Sequence, residues 1–138
     1  MHTTSRLGAA ALATCAAVTL TLTTAGPASA AEAVHIEVAT SFVGPSYFTS
    51  NLDGCASGEV RDERARLAGS RHFGIFNGFK VFECDEGGSF VVRLHATFDD
   101  VGSTGSWAFV GGDYRGSGTL VGNPVTDGID DVYDGTIR

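Results

Sequence analysis

Positive charge is scarce in this sequence. Its 9 Lys+Arg stand against 16 Asp+Glu, a formal net charge of -7 over 138 residues. Neutralising a phosphate backbone takes clustered Lys and Arg that release counterions, so nucleic acid is excluded as the main partner. The same shortage argues against adsorption to an anionic membrane. The familiar catalytic signatures are also missing: there is no G-x-S-x-G elbow, no H-E-x-x-H, no P-loop and no EF-hand spacing. No cofactor is implied. Charged residues make up only 18% of the chain, but 43% are hydrophobic, which is the composition of a folded protein rather than of an acidic disordered tail. A chain of this length points to one domain.

The N-terminus limits how much of that length folds. Met1 to Arg6 carry His2 and Arg6 without an acid, and an uncharged Ala/Leu/Thr/Val run follows from Leu7 to Thr24. Behind it stand Gly26-Pro27 and the triplet Ala28-Ser29-Ala30, with small residues where a signal peptidase requires them. Residues 1–30 therefore read as a secretory signal cleaved after Ala30. The uncharged run is nearly long enough to span a bilayer, but the A-x-A site directly after it favours removal over anchoring. Leu12-Ala13-Thr14-Cys15 resembles a lipobox only superficially, because Thr14 is bulky and the apolar run continues past Cys15. The expected mature protein is extracellular, without a membrane span, and consists of a single domain over residues 31–138.

Of the 19 glycines only Gly8 and Gly26 leave with the signal, so the mature part is glycine-rich, and Arg6 is the one basic residue lost, which makes its charge -8. Glycine at this density without a collagen period marks turns and bulges between short strands. Cys15 also leaves. Cys55 and Cys84 remain as a pair in an oxidising compartment, which predicts one disulfide. Closing a loop of about 30 residues, it would be worth roughly 3 kcal/mol. Two lone cysteines make no structural zinc site, and no metal is expected.

Strand periodicity dominates the mature chain. Val34, Ile36 and Val38 alternate, with Phe42 beyond them. Residues 44–57 hold Gly44-Pro45, Asn51 and Asp53-Gly54, all turn formers. Glu59 to Leu67 admits two readings: a helix, from mixed charge at helical spacing, or a polar strand with Val60 and Leu67 inward, separated by a turn. Further on, Phe73, Ile75, Phe79 and Val81 share one face of a strand while Phe76 and Phe82 share the other, so this strand is apolar on both sides. Asp85-Glu86-Gly87-Gly88 turns into a strand on which Phe90, Val92, Leu94, Ala96 and Phe98 alternate with Val91, Arg93, His95 and Thr97. Further strands are read over Ser106 to Val110, Tyr114 to Gly122 and Ile129 to Ile137. Such a series of short antiparallel strands makes a small barrel or a sandwich. Trp107 lies after both cysteines, unlike the immunoglobulin pattern, and closure removes exposed edges. A barrel is expected.

The run Gly105-Ser106-Trp107-Ala108-Phe109-Val110-Gly111-Gly112, then Tyr114 to Gly122 and Asp131-Val132-Tyr133-Asp134-Gly135-Thr136-Ile137, resembles the allene oxide cyclase barrel-like superfamily, to which plant dirigent proteins are related. The resemblance covers residues 73–138, with a shorter turn between Gly111 and Gly118 than the family carries. It implies an antiparallel barrel of about eight strands with an apolar lumen open at one end, often assembled as a homo-oligomer, a dimer or trimer. It further implies that a hydrophobic intermediate is held and its cyclisation guided by shape.

The 9 phenylalanines all lie in the mature part. Either they line a cavity for a small hydrophobic molecule, with Phe90, Val92, Leu94, Trp107, Phe109 and Tyr133 as its walls, or they simply fill the barrel. Arg93 and His95 share one strand face, where a cation beside an imidazole could stabilise an oxyanion; with Val91 and Thr97 they equally form a solvated outer face. His35 and His72 read as structural. Asp127, Asp130, Asp131 and Asp134 form an acidic cluster around a turn, but Asp130 and Asp131 point to opposite sides of a strand, which favours solvated charge over a calcium site. Two functional classes follow. One is a secreted barrel binding a small hydrophobic molecule, which predicts an open lumen. The other is a protein-interaction or inhibitor module without catalytic activity, presenting residues 44–57 and 61–72 from a filled barrel.

Overall fold

Alternating buried and exposed side chains run through nearly every extended segment, and one face of each meets the others around a common axis. The computed structural model describes residues 30–138, so the signal-like segment and Cys15 lie outside the described residues, apart from Ala30. The described chain forms β1 (Glu32–Ser41), β2 (Ser46–Ser50), β3 (Ser57–Gly69), β4 (Gly74–Cys84), β5 (Ser89–Phe98), β6 (Ser103–Gly111), β7 (Gly116–Val125) and β8 (Gly128–Ile137). Each strand pairs antiparallel with the next, and β8 returns to pair with β1 from Glu32↔Ile137 to Ser41↔Gly128, closing an eight-stranded barrel. Closure runs through the short β2, which pairs only with Ser57 to Val60 of β3, so the β2-facing side of β3 beyond Val60 has no strand partner.

The stretch open to two readings, Glu59 to Leu67, is strand throughout, and its phase break is a bulge. Between the pairs Glu63↔Phe79 and Arg66↔Asn77, β3 carries one residue more than β4, with Arg64 at φ 51°. The extra residue shifts the alternation. Asp62 on one side and Leu67 on the other thus both oppose inward positions of β4, Lys80 and Phe76. Arg64 and Arg66 remain outside, where their charge is solvated.

The two ends of the barrel differ. At the end that holds the β2–β3, β4–β5 and β6–β7 turns, the interior is filled. Phe82 stacks on Phe90 with ring centroids 4.5 Å apart, and Phe48 meets Phe82 edge-on at 5.0 Å. Phe109 packs edge-on against both Phe90 and Trp107. Leu52 and the Cys55–Cys84 disulfide, with Cα atoms 5.1 Å apart, plug this end, and the Tyr114 hydroxyl donates to the Asp53 carbonyl at 2.6 Å.

Trp107 shows why glycine recurs on β7 and β8. It pairs with Gly118, which pairs with Gly135, so two inward positions without side chains receive the indole. Its Nε1 donates to the carbonyls of Thr119 (3.0 Å) and Asp134 (3.3 Å). A methyl at 135 would collide with the Ser117 carbonyl oxygen and lie 2.7 Å from Trp107 Cζ2 and 2.9 Å from Gly118 Cα. Gly135→Ala is therefore expected to cost about 1–3 kcal/mol by overpacking, read as a lower urea midpoint with a red-shifted tryptophan emission. An unchanged midpoint would show that neither the indole nor the β7 backbone needs that space.

A candidate ligand site in the open end of the barrel

The opposite end, framed by the β1–β2, β3–β4, β5–β6 and β7–β8 turns, is hollow. A cavity of about 670 Å³ opens there, walled by Phe76, Leu94, Ala96, Phe98, Leu120 and Ile129. The bulge contributes Leu67 to its rim, where Phe42 from the β1–β2 turn also stands exposed.

Its floor is polar. Lys80 lies on the inward face of β4 between Phe76 and Phe82, with its side chain only 7% exposed. From there it crosses the lumen. Its Nζ donates to Thr40 Oγ1 of β1 at 3.1 Å, pairs with Asp62 Oδ1 of β3 at 3.0 Å and lies 3.8 Å from Asp131 Oδ2 of β8. The Asp62 side chain is 44% exposed and reaches solvent, whereas that of Asp131 is 9% exposed. Burial pushes the Asp131 carboxyl up to about 6; the negative charges of Asp62 and Asp130 add to the rise, and Lys80 and a hydrogen bond from Thr40 oppose it. Gly122 makes room for this carboxylate, since a Cβ there would collide with Asp131 Oδ1 and Ser103 Oγ.

Tyr133 completes the floor two residues along β8. Its ring meets Phe82 and Trp107 edge-on at 6.2 and 6.3 Å, which joins the cavity floor to the aromatic core. Its hydroxyl is fully buried and has no hydrogen-bond partner. Burial holds the phenol well above its usual pKa, reinforced by the charges of Asp131 and Asp62.

The residues singled out from the sequence fall in three places. Leu94 and Tyr133 border the cavity. Phe90, Val92, Trp107 and Phe109 are buried in the core cluster and are not among the cavity-lining residues. Arg93 and His95 lie on the outer face of β5, separated from the cavity by the sheet, with His95 Nδ1 2.6 Å from Asn77 Oδ1 on β4. The acidic cluster does not converge: Asp131 faces in, while Asp134 faces out and hydrogen-bonds His35 Nδ1 at 2.6 Å. That contact, followed by one from Glu37, raises the His35 pKa. Among the described residues no three His, Cys, Asp or Glu side chains come together to hold a metal ion. Residues 44–57 span β2 with turns at opposite ends of the barrel, and 61–72 is largely β3, so the two segments do not build one loop surface.

Lys80, Asp62 and Thr40 were not legible as site residues. A signal existed nonetheless: Lys80 is the sole lysine of the chain, at the same strand parity as Phe76 and Phe82. Chemically, the site offers an apolar chamber with one ammonium and two carboxylates at its base and, buried beneath them, a hydroxyl without a partner. No protein-family model matches the chain, and no curated protein or solved structure matches it.

Proposed function

We propose that this barrel binds a small, predominantly apolar molecule in the cavity of its open end. The observation that carries the reading is the cavity itself: about 670 Å³, apolar walls and a few convergent polar groups at its base, within the roughly 300–1,000 Å³ of small-molecule pockets. An interaction module was expected to have a filled barrel, and this one is filled at one end only. The resemblance to the allene oxide cyclase barrel-like superfamily supports the same reading and adds that confinement can guide cyclisation of a reactive guest by shape. The signal-like residues 1–30 support a location outside the cell, with which the Cys55–Cys84 disulfide is compatible.

The test is fluorescence titration with the uncharged probe 1-anilinonaphthalene at micromolar protein. The expected result is a saturable blue-shifted emission that an unlabelled apolar competitor removes. Absence of displaceable binding would refute the reading.

A further inference from the structure

The Tyr133 hydroxyl is a donor without an acceptor, buried beneath the chamber that Tyr133 helps to line, so a guest reaches it only by displacing side chains of the floor. Such a group is costly to leave unmade, and a tyrosine at this position is unexplained by packing alone, since a phenylalanine ring would meet Phe82 and Trp107 equally well. The neighbouring groups define what could satisfy it. Lys80 already has Thr40 and Asp62 within 3.1 Å and is engaged. Asp62 and Asp131 both face the floor, so a guest with a carboxylate at its inner end would meet two like charges for one cation there, with Arg71 and Asp99 farther out among the lining residues. An ammonium group has no lone pair and could not accept from the Tyr133 hydroxyl, whatever it gained from the carboxylates. What remains is a neutral oxygen.

We propose that the bound molecule is uncharged and carries an acceptor oxygen, as a ketone, aldehyde or ester does, and that this oxygen takes the hydrogen bond which Tyr133 lacks. This rests on the reading that the cavity admits an apolar guest, and it names the chemical class of that guest. Tyr133 then sets specificity: the walls hold the hydrocarbon part, and the hydroxyl selects molecules oxygenated at the inner end. A buried polar group that is paired only in the complex discriminates strongly against analogues lacking the complementary atom.

The experiment compares three probes of one ring system, naphthalene, 2-acetylnaphthalene and 2-naphthoate, by titration calorimetry on wild type and Tyr133→Phe at pH 8. After correction for octanol partition, the ketone is expected to bind wild type about three- to tenfold more tightly than the hydrocarbon. In Tyr133→Phe this preference disappears, read as the ratio of ketone to naphthalene affinity within each protein. The carboxylate is expected to bind most weakly. Equal affinities for ketone and hydrocarbon in wild type, or a preference that survives in Tyr133→Phe, would overturn the proposal. So would a preference for naphthoate. Failure of naphthalene itself to bind would instead strike the cavity reading. An independent readout needs no variant: the carbonyl stretch of bound 2-acetylnaphthalene should shift to lower frequency than in hexane, and an unshifted band would overturn the proposal.

Discussion

Lys80→Met loses about 3–5 kcal/mol of folding stability at pH 8, the usual result of stripping one partner from a buried ion pair. Methionine keeps most of the apolar stem, so the loss reports the missing ammonium rather than a cavity. Its two carboxylate partners do not share the loss equally. Asp62, 44% exposed, can be rehydrated, whereas Asp131, 9% exposed, cannot. The loss therefore falls chiefly on Asp131 and shrinks in acid, where that group takes up a proton. A second substitution identifies the cause: Lys80→Met with Asp131→Leu should recover most of the stability, since replacing a whole buried pair by apolar side chains is often neutral or better. Urea midpoints at pH 5 and pH 8 make the comparison. A loss below about 1 kcal/mol, equal at both pH values, would mean that Lys80 is solvated rather than buried against these partners.

Stability should also fall, not rise, between mildly acidic and neutral pH. In the folded chain Asp131 is raised to about 6 from an ordinary 3.8. The native state thus holds this proton more tightly than the unfolded state does. Stability from this group is complete below about 3.8, declines as pH rises from there to about 6, and stays low above it. The gap between 3.8 and about 6 corresponds to roughly 3 kcal/mol. His35 acts in the same direction: its raised pKa gives stability that is present below 6.5 and lost as pH climbs through the folded value. With its side chain 48% exposed it adds little. Asp131→Asn should flatten the slope between pH 4 and 6 and raise stability at pH 7.5. Thermal midpoints of both proteins across that range decide. Wild-type stability that increases toward pH 7.5, as when salt-bridged carboxylates dominate, would contradict the environment described for Asp131.

Strand alternation, glycine turns and the cysteine pair were enough to read an antiparallel barrel with one disulfide, because each of these is a local signal or a short count. The family resemblance is a different matter: it rests on the glycine-punctuated run from Gly105 to Gly122 and on Asp131 to Ile137. The interior division was hidden. Nothing local says that Phe90, Trp107 and Phe109 fill one end while Leu94 and Tyr133 border a chamber at the other. That depends on how inward positions of eight strands stack by register, and register is a long-range property. Lys80 was overlooked because a charge amid phenylalanines reads as an outward residue, and its partners Asp62, Asp131 and Thr40 come from three other strands. The bulge at Arg64 further masked β3 by shifting its alternation midway, so that neither a helical nor a strand period fits all of Glu59 to Leu67.

On the proposed function, the hollow end of this barrel is a binding chamber whose polar floor meets the guest. Chemical-shift mapping of the labelled protein during titration with 2-acetylnaphthalene tests it most directly, because it locates the guest as well as detecting it. Saturable shifts are expected at Leu94, Ala96, Leu120, Ile129 and Tyr133, with Leu52 and Phe48 at the plugged end unmoved. Shifts confined to the outer faces, or none that saturate, would contradict it.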